Sequence, residues 1–269
     1  MNPRIITLTS DFGLKDPFVG MIKGVILGIH PEVRVVDITH EIPPQDILAG
    51  AFVIHSTYPY FPKGTIHMAV VDPTVGSPRR PLLMLSGGQV FIGPDNGIFS
   101  LIFRDDRDAK VFHITASHYF LRTTGSTTFH GRDIFAPVAA WLSRGVECEK
   151  LGVEILDPVR IEVPEARTSE EEIQGEVLYV DRYGNLITNI PGTLVGELIK
   201  RAGKEGESYV LKIRDINIQG VGSFYAESPV GTPGVLVNSL GLLEVYVYRG
   251  NASVQLGSDR GEKVVLHLK

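Results

Sequence analysis

In the stretch Thr65-Ile66-His67-Met68-Ala69-Val70-Val71-Asp72-Pro73-Thr74-Val75-Gly76-Ser77-Pro78-Arg79-Arg80, residues 65–71 are nearly continuous in apolar side chains. A strand buried on both faces has that composition, as in a parallel sheet covered by helices. The run leaves through a carboxylate, Asp72, into a Pro/Gly turn. The same unit stands at the N-terminus, where the β-branched run Ile5–Thr9 gives way to Ser10-Asp11-Phe12-Gly13. Between them, apolar residues at Phe18, Met21, Ile22, Val25, Ile26 and Ile29 keep helical spacing up to His30, with Pro17 in the first turn and Asp16 placed to cap. Val33–Ile38 reads as the next strand and Pro43–Tyr58 as the next helix. Leu82–Ser86 and Val90–Ile92 form a hairpin around Gly87-Gly88, and Asn96–Phe103 and Arg132–Arg144 read as helices. This alternation predicts an α/β fold with a mostly parallel sheet and flanking helices.

The rhythm breaks at residues 157–174, where Pro158, Pro164, Ser169 and Glu170-Glu171-Glu172 make a polar, punctuated stretch. Short strand-like pieces follow at 175–181, 185–189, 208–213, 242–248, 253–256 and 263–268, several of them separated by Gly-rich turns. They predict an all-β C-terminal barrel. The expected division is an N-terminal α/β domain over residues 1–163, a linker over 164–173 and a β-barrel domain over 174–269.

Composition excludes several classes. The chain has 269 residues, 43% hydrophobic and 21% charged, with a net charge of −5. That is globular composition, with no basic stripe for nucleic acid. No apolar run is long enough to span a membrane and no signal peptide is visible. Cys148 is the single cysteine, so an intramolecular disulfide and a cysteine-cluster metal site are excluded, which fits a reducing, cytoplasmic setting. Dinucleotide and Walker glycine loops are missing, as is any His-Glu-x-x-His spacing.

What carries chemistry is a set of polar residues at predicted strand ends, where open α/β sheets bind ligands. Asp11 and Asp72 are two such carboxylates, and each also has a plainer reading as an Asx-turn. Arg79 lies seven residues beyond Asp72, a loop length that folds a guanidinium back onto the carboxylate. His130, in Phe129-His130-Gly131-Arg132-Asp133, precedes a predicted helix and either faces a crevice or packs at the helix start. In Asp181-Arg182-Tyr183-Gly184-Asn185 the alternative is ordinary hairpin chemistry. Phe224 and Tyr225 stack on a planar base or fill the core.

Taken in order, Thr9-Ser10-Asp11-Phe12-Gly13, Asp37-Ile38-Thr39-His40 with Pro44, Val71-Asp72-Pro73 with Val75-Gly76 and Arg79, Phe129-His130-Gly131-Arg132-Asp133, Asp181-x-x-Gly184-Asn185-x-x-Thr188-Asn189-Ile190 and Gly250-Asn251-Ala252 resemble the S-adenosyl-L-methionine (SAM) hydroxide adenosyltransferases. These are also called SAM hydrolases, and are relatives of the SAM-dependent fluorinase and chlorinase. The resemblance spans nearly the whole chain and diverges around residues 104–120 and 150–175. It implies a nucleophilic substitution in which water attacks C5′ of SAM to give adenosine and L-methionine. No cofactor or metal is implied, and the assembly implied is a homotrimer with sites between subunits.

By position, Asp72, Arg79 and His130 match the family's Asp-Arg-His set that handles the water, with Arg80 a rival to Arg79. Asp11 matches the carboxylate that holds the ribose diol. Asp16, Asp181 and Ser239 match residues near the methionine part, Asn185 and Phe224 match adenine contacts, and Tyr183 is their neighbour. One departure is Thr74, where the family's turn more usually has Gly. The halogenating relatives lack the Asp-Arg-His set, which favours water over halide here. A halide-using transferase and a non-catalytic SAM- or adenosine-binding module are the competing readings.

Overall fold

The computed structural model describes residues 5–121, 127–202 and 209–268. It comprises two compact units, Met1–Val163 and Pro164–Lys269.

The first unit holds a seven-stranded sheet. Its elements are β1 (Ile5–Ser10), α1 (Phe18–Ile29), β2 (Arg34–Thr39), α2 (Ile47–Thr57), β3 (Ile66–Val70), β4 (Pro81–Ser86), β5 (Gln89–Pro94), α3 (Ser100–Asp105), β6 (Lys110–Ile114), α4 (Ala136–Ser143) and β7 (Gly152–Ile155). Strand order is β2-β1-β3-β5-β4-β6-β7. The first four are mutually parallel; β4, β6 and β7 add antiparallel pairs. All five residues of β3 are buried, as its apolar run predicts. The core joins Ile6, Leu8, Met68 and Val70 of the sheet to Ile22 and Ile26 of α1 and to Val138 and Leu142 of α4. Burying each such side chain stabilises the fold by ~1.5–3 kcal/mol.

Topology positions the site. The chain passes from β1 to β2 on one side and then to β3 on the other, so order reverses at β1. A crevice opens there beyond the carboxyl ends of the strands. Ser10 and Val70 are register partners at those ends. Asp11 and Asp72 therefore leave neighbouring strands on the same edge of the sheet.

Several boundaries differ from the sequence reading, for local reasons. Helix α1 starts after Pro17, which itself occupies the cap position; no side chain caps it, and Asp16 is exposed. Helix α2 starts at Ile47 rather than Pro43. Two prolines and Gln45, whose φ is +67°, hold residues 43–45 outside the helix, and Asp46 Oδ1 then accepts from Ala49 N at 2.9 Å. Asn96 lies in a turn rather than a helix, because its amide donates to Val71 O and accepts from Ile98 N. The helix expected over Arg132–Arg144 opens as one π-helical turn, Gly131–Phe135, before α4.

The second unit comprises β8 (Arg167–Thr168), β9 (Glu172–Val180), β10 (Leu186–Pro191), α5 (Gly192–Ala202), β11 (Tyr209–Ile213), β12 (Ile216–Gln219), β13 (Pro233–Val237), β14 (Leu242–Val247), α6 (Ala252–Leu256) and β15 (Lys263–Leu268). Its antiparallel sheet runs β12-β11-β15-β9-β10-β14-β13, with β8 paired to β9. A bridge between Gly222 and Leu236 brings the two ends together, which makes the sheet a nearly closed barrel around Ile173, Val177, Leu211, Val245 and Leu266. Part of the expected linker is thus strand: Ser169 N donates to Glu172 O at 2.8 Å, folding β8 back onto β9. The strand expected over Ser253–Leu256 is helix α6. Asn251 Oδ1 accepts from Val254 N at 2.8 Å at its start, and Gly257 ends it at φ +59°.

Gly184 closes the β9–β10 turn at φ +81°, and a Cβ there would overlap the Asn251 amide that caps α6. Gly184→Ala is expected to lose ~2–3 kcal/mol, from the left-handed backbone and the displaced cap. The check is a denaturant titration followed by a probe in the second unit.

Candidate active site

Asp72 enters a tight turn: Val75 N donates to Asp72 O, Ser77 N to Thr74 O, and Gly76 adopts φ +82°. A Cβ at Gly76 would press on Thr127 O. Thr74 is not at positive φ, so the residue that departs from the more usual Gly demands no glycine backbone. The turn returns Arg79 to Asp72. Arg79 Nε donates to Asp72 Oδ1 at 2.9 Å, and Nη2 donates to Oδ2. Both side chains are buried, and the guanidinium lies 5.4 Å from the Phe135 ring centre. A planar fork on a carboxylate in such surroundings fixes both groups in one orientation.

Arg79 Nη2 also meets His130 Nδ1 at 2.8 Å. A guanidinium only donates, so Nδ1 accepts and neutral His130 carries its proton on Nε2. Burial, helped by the Arg79 charge, holds the imidazole below its ordinary 6.5, against the pull of Asp72 and Asp133. The three residues that the sequence singled out therefore converge. Arg80 does not compete: its Nε donates to Asp95 at 2.7 Å and its Nη1 and Nη2 hold Asp157.

Asp72 and His130 line a cavity of about 410 Å³, with Asp11 on its wall. Arg79 is not among the lining residues; it joins the two that are. Asp11 Oδ2 accepts from Gln45 N at 2.8 Å, and nothing in the described fold donates to Oδ1. Phe12, Phe18 and Phe129 complete the wall, their rings meeting at centroid distances of 5.4–5.9 Å. Sequence reasoning missed this aromatic wall. Its signal was a Phe beside each polar residue, Asp11-Phe12 and Phe129-His130. Asp16 lies outside the lining of this cavity.

The remaining expected residues belong to the second unit. Asp181 is engaged in its own turn: Oδ1 accepts from Tyr183 N and Asn185 N, both at 2.9 Å, and Oδ2 accepts from Asn185 Nδ2 at 3.0 Å. Asn185 is buried, whereas Tyr183, Phe224 and Ser239 are exposed. A group that the sequence did not reveal ties two of these segments together. Buried Glu244 accepts from Tyr225 Oη at 2.9 Å, beside Phe224, and from Asn238 Nδ2 at 3.0 Å, beside Ser239. Burial raises the Glu244 carboxyl, and burial with the Glu244 bond pushes Tyr225 up to about 12.

Among the described residues no group of three or more His, Cys, Asp or Glu is placed to hold a metal ion, and no helix is long and apolar enough to cross a membrane.

Comparison with known proteins follows the same division of the chain. The family description "SAM hydroxide adenosyltransferase N-terminal domain" matches residues 6–152, and its C-terminal counterpart matches residues 175–265. A Thermus thermophilus protein named (R)-S-adenosyl-L-methionine hydrolase is 37% identical over 98% of this chain and 99% of its own. A conserved Thermotoga maritima protein of known crystal structure superposes with a TM-score of 0.90 at 32% identity, covering 98% of this chain and 99% of that one. A fluorinase from Nocardia brasiliensis is more distant, at 26% identity over 81% of this chain and 78% of its own. This chain belongs to the SAM hydroxide adenosyltransferase family.

Proposed function

We propose that this protein hydrolyses S-adenosyl-L-methionine to adenosine and L-methionine. The observation that carries the reading is the Asp72–Arg79–His130 assembly at the edge of a cavity that also holds Asp11. Water forms a bond to C5′ as the C5′–S bond breaks, and the electron pair goes to sulfur. The sulfonium leaves as a neutral thioether, so departure needs no acid, metal or organic cofactor. The difficulty lies in the nucleophile, which must shed a proton.

The hydrogen-bond pattern divides that task. Arg79 has no lone pair to offer, and neutral His130 has given its Nδ1 lone pair to Arg79. Asp72 alone retains acceptor sites, because each oxygen takes one bond from Arg79 and keeps another position open. Asp72 therefore orients the water and takes its proton, and His130 Nε2–H donates to the same water. In this reading His130 donates to the water and does not relay its proton. Arg79 locks both in place, and its charge favours a hydroxide-like oxygen. General-base help of this kind typically contributes ~10²–10⁴-fold, and alignment of the water in line with C5′–S contributes more. Asp11 receives the ribose diol, for which a carboxylate supplies two acceptors. Asp16, Asp181, Tyr183, Asn185, Phe224 and Ser239 contact the methionine and adenine parts in this reading. The lack of an Asp-Arg-His set in the halogenating relatives supports water as the nucleophile.

The function is tested by chromatography of products formed from SAM with and without chloride. Adenosine and methionine in equal amounts under both conditions are expected. A 5′-halogenated nucleoside would establish the halide reading, and tight adenosine binding without methionine release would establish a binding module.

Asp72→Asn, Arg79→Lys and His130→Ala are expected to lower kcat by about 10²-fold or more with little change in substrate affinity. Arg79→Lys keeps a cation opposite Asp72, and Asp72→Asn keeps the shape and one acceptor oxygen while leaving the buried Arg79 charge without its counter-ion, so a denaturant titration of each variant accompanies the kinetics. Asp11→Ala is expected chiefly to raise KM. Because His130 is held below 6.5, kcat/KM is expected to be level at neutral pH and to fall only on the acid side of 6.5, as protonation removes the acceptor that Arg79 uses. Parent-level turnover by Asp72→Asn, or an acid limb centred above 6.5, would contradict the assignment.

The assembly read from the resemblance is a homotrimer with substrate between neighbouring subunits. Light scattering is expected to give three times the chain mass, and a monomer would overturn this part.

A further inference from the structure

Outside the assembly already described, the first unit holds a second polar chain, buried at Ser10 and His40 and open to solvent at Asp37 and Lys23. His40 Nδ1 lies 2.7 Å from Ser10 Oγ, and its Nε2 lies 3.2 Å from Asp37 Oδ1 without hydrogen-bond alignment. Lys23 Nζ holds the other Asp37 oxygen at 2.6 Å. This is the composition of a Ser-His-Asp triad. Ser10 is only 3% exposed, however, and its oxygen is placed to accept from Phe12 N at 3.4 Å, so it is shut away from any substrate. The chain leads instead to Asp11.

Ser10 ends β1, immediately before Asp11. The loop after β2, which begins at His40, grips the 10–13 turn at four points. His40 takes Ser10 through its ring, and His40 O accepts from Gly13 N at 2.7 Å. Ile42 N donates to Ser10 O at 3.3 Å, and Gln45 N donates to Asp11 Oδ2 at 2.8 Å. Gln45 sits at φ +67°, a conformation costly for a residue with a Cβ, and it thereby aims its N–H at the carboxylate. Three of the four grips are backbone geometry. The fourth is the one made by a side chain from beneath the turn.

We propose that His40, through Ser10, is a positioning residue that sets the Asp11 carboxylate for the ribose diol. The proposal rests on the assignment of Asp11 to the diol. Of the two ring contacts, the hydrogen bond at Nδ1 matters and the contact with Asp37 is secondary. An Asn side chain places an amide where Nδ1 stands, and a Gln side chain reaches towards the position of Nε2. His40→Asn thus keeps the bond to Ser10, and His40→Gln loses it.

The test compares calorimetric affinities for adenosine and 2′,3′-dideoxyadenosine, which differ only in the diol, in the parent, Asp11→Ala, Ser10→Ala, His40→Asn and His40→Gln. Ser10→Ala removes one oxygen and guards against a His40 variant that fails to fold. The parent's preference for adenosine is expected to fall about tenfold or more in Ser10→Ala and His40→Gln, and to survive in His40→Asn. Affinity for the dideoxynucleoside is expected to hold in all of them. Equal loss for both ligands would reduce His40 to a structural role and overturn the proposal. So would a parent-like preference in Ser10→Ala beside its abolition in Asp11→Ala, with the diol assignment left standing. A preference undiminished in Asp11→Ala would remove that assignment, and the proposal with it.

Discussion

The forked ion pair between Asp72 and Arg79 is the constraint on which the site depends. Both side chains are almost wholly withdrawn from water. Burying two charges costs several kcal/mol per ion, which is offset only when geometry is good and the remaining donors find acceptors. Here Nε and Nη2 meet the two carboxylate oxygens, Nη2 also meets His130, Nη1 reaches the Arg80 carbonyl at 3.4 Å, and Phe135 covers the guanidinium. Replacing such a pair with apolar residues is often neutral or stabilising, so stability alone gives a poor account of its presence. A fixed carboxylate beside a cavity gives a better one.

The pair also decides the state of His130. An imidazole beside a guanidinium could turn either nitrogen towards it, but only an unprotonated nitrogen can accept. The Arg79 bond thereby selects one tautomer, and the Arg79 charge opposes protonation of the ring. One cation thus orients a carboxylate and an imidazole together and leaves them with opposite duties, one an acceptor and one a donor.

Much of this was legible in the residue order because the relevant signals are local. A strand buried on both faces cannot hide its apolar run, so β3 and the carboxylate at its end stood out, and the seven-residue return to Arg79 needed only chain length. Other elements lacked such signals. β6 and β7 were not foreseen, and β13 opens with Pro233-Gly234, which reads as a turn. Helix α6 is so short that its five apolar and polar residues pass for a strand unless Asn251 and Gly257 are read as its caps. Glu244 was invisible for a different reason. In β14 the core face carries Leu243, Val245 and Val247, so Glu244 falls on the opposite face, where a charged residue ordinarily meets water. Only the folded chain shows Tyr225 and Asn238 covering it.

Three aspartates at turns illustrate why position in a motif is weaker than acceptor accounting. A carboxylate has about four lone-pair positions. Asp181 receives three donors from its own turn, which leaves about one position for a ligand. Asp11 receives one, and Asp72 receives two, both from Arg79. Arg79 neutralises Asp72, and His130 is uncharged near neutrality, which leaves the cavity with the single negative charge of Asp11. Its other wall is three aromatic rings, whose faces attract cations. Such a cavity favours a ligand with one net positive charge. A sulfonium nucleoside has it, and the nucleoside and thioether amino acid formed by hydrolysis do not. The same electrostatics that draws the substrate in ceases to hold the products once the C5′–S bond has broken.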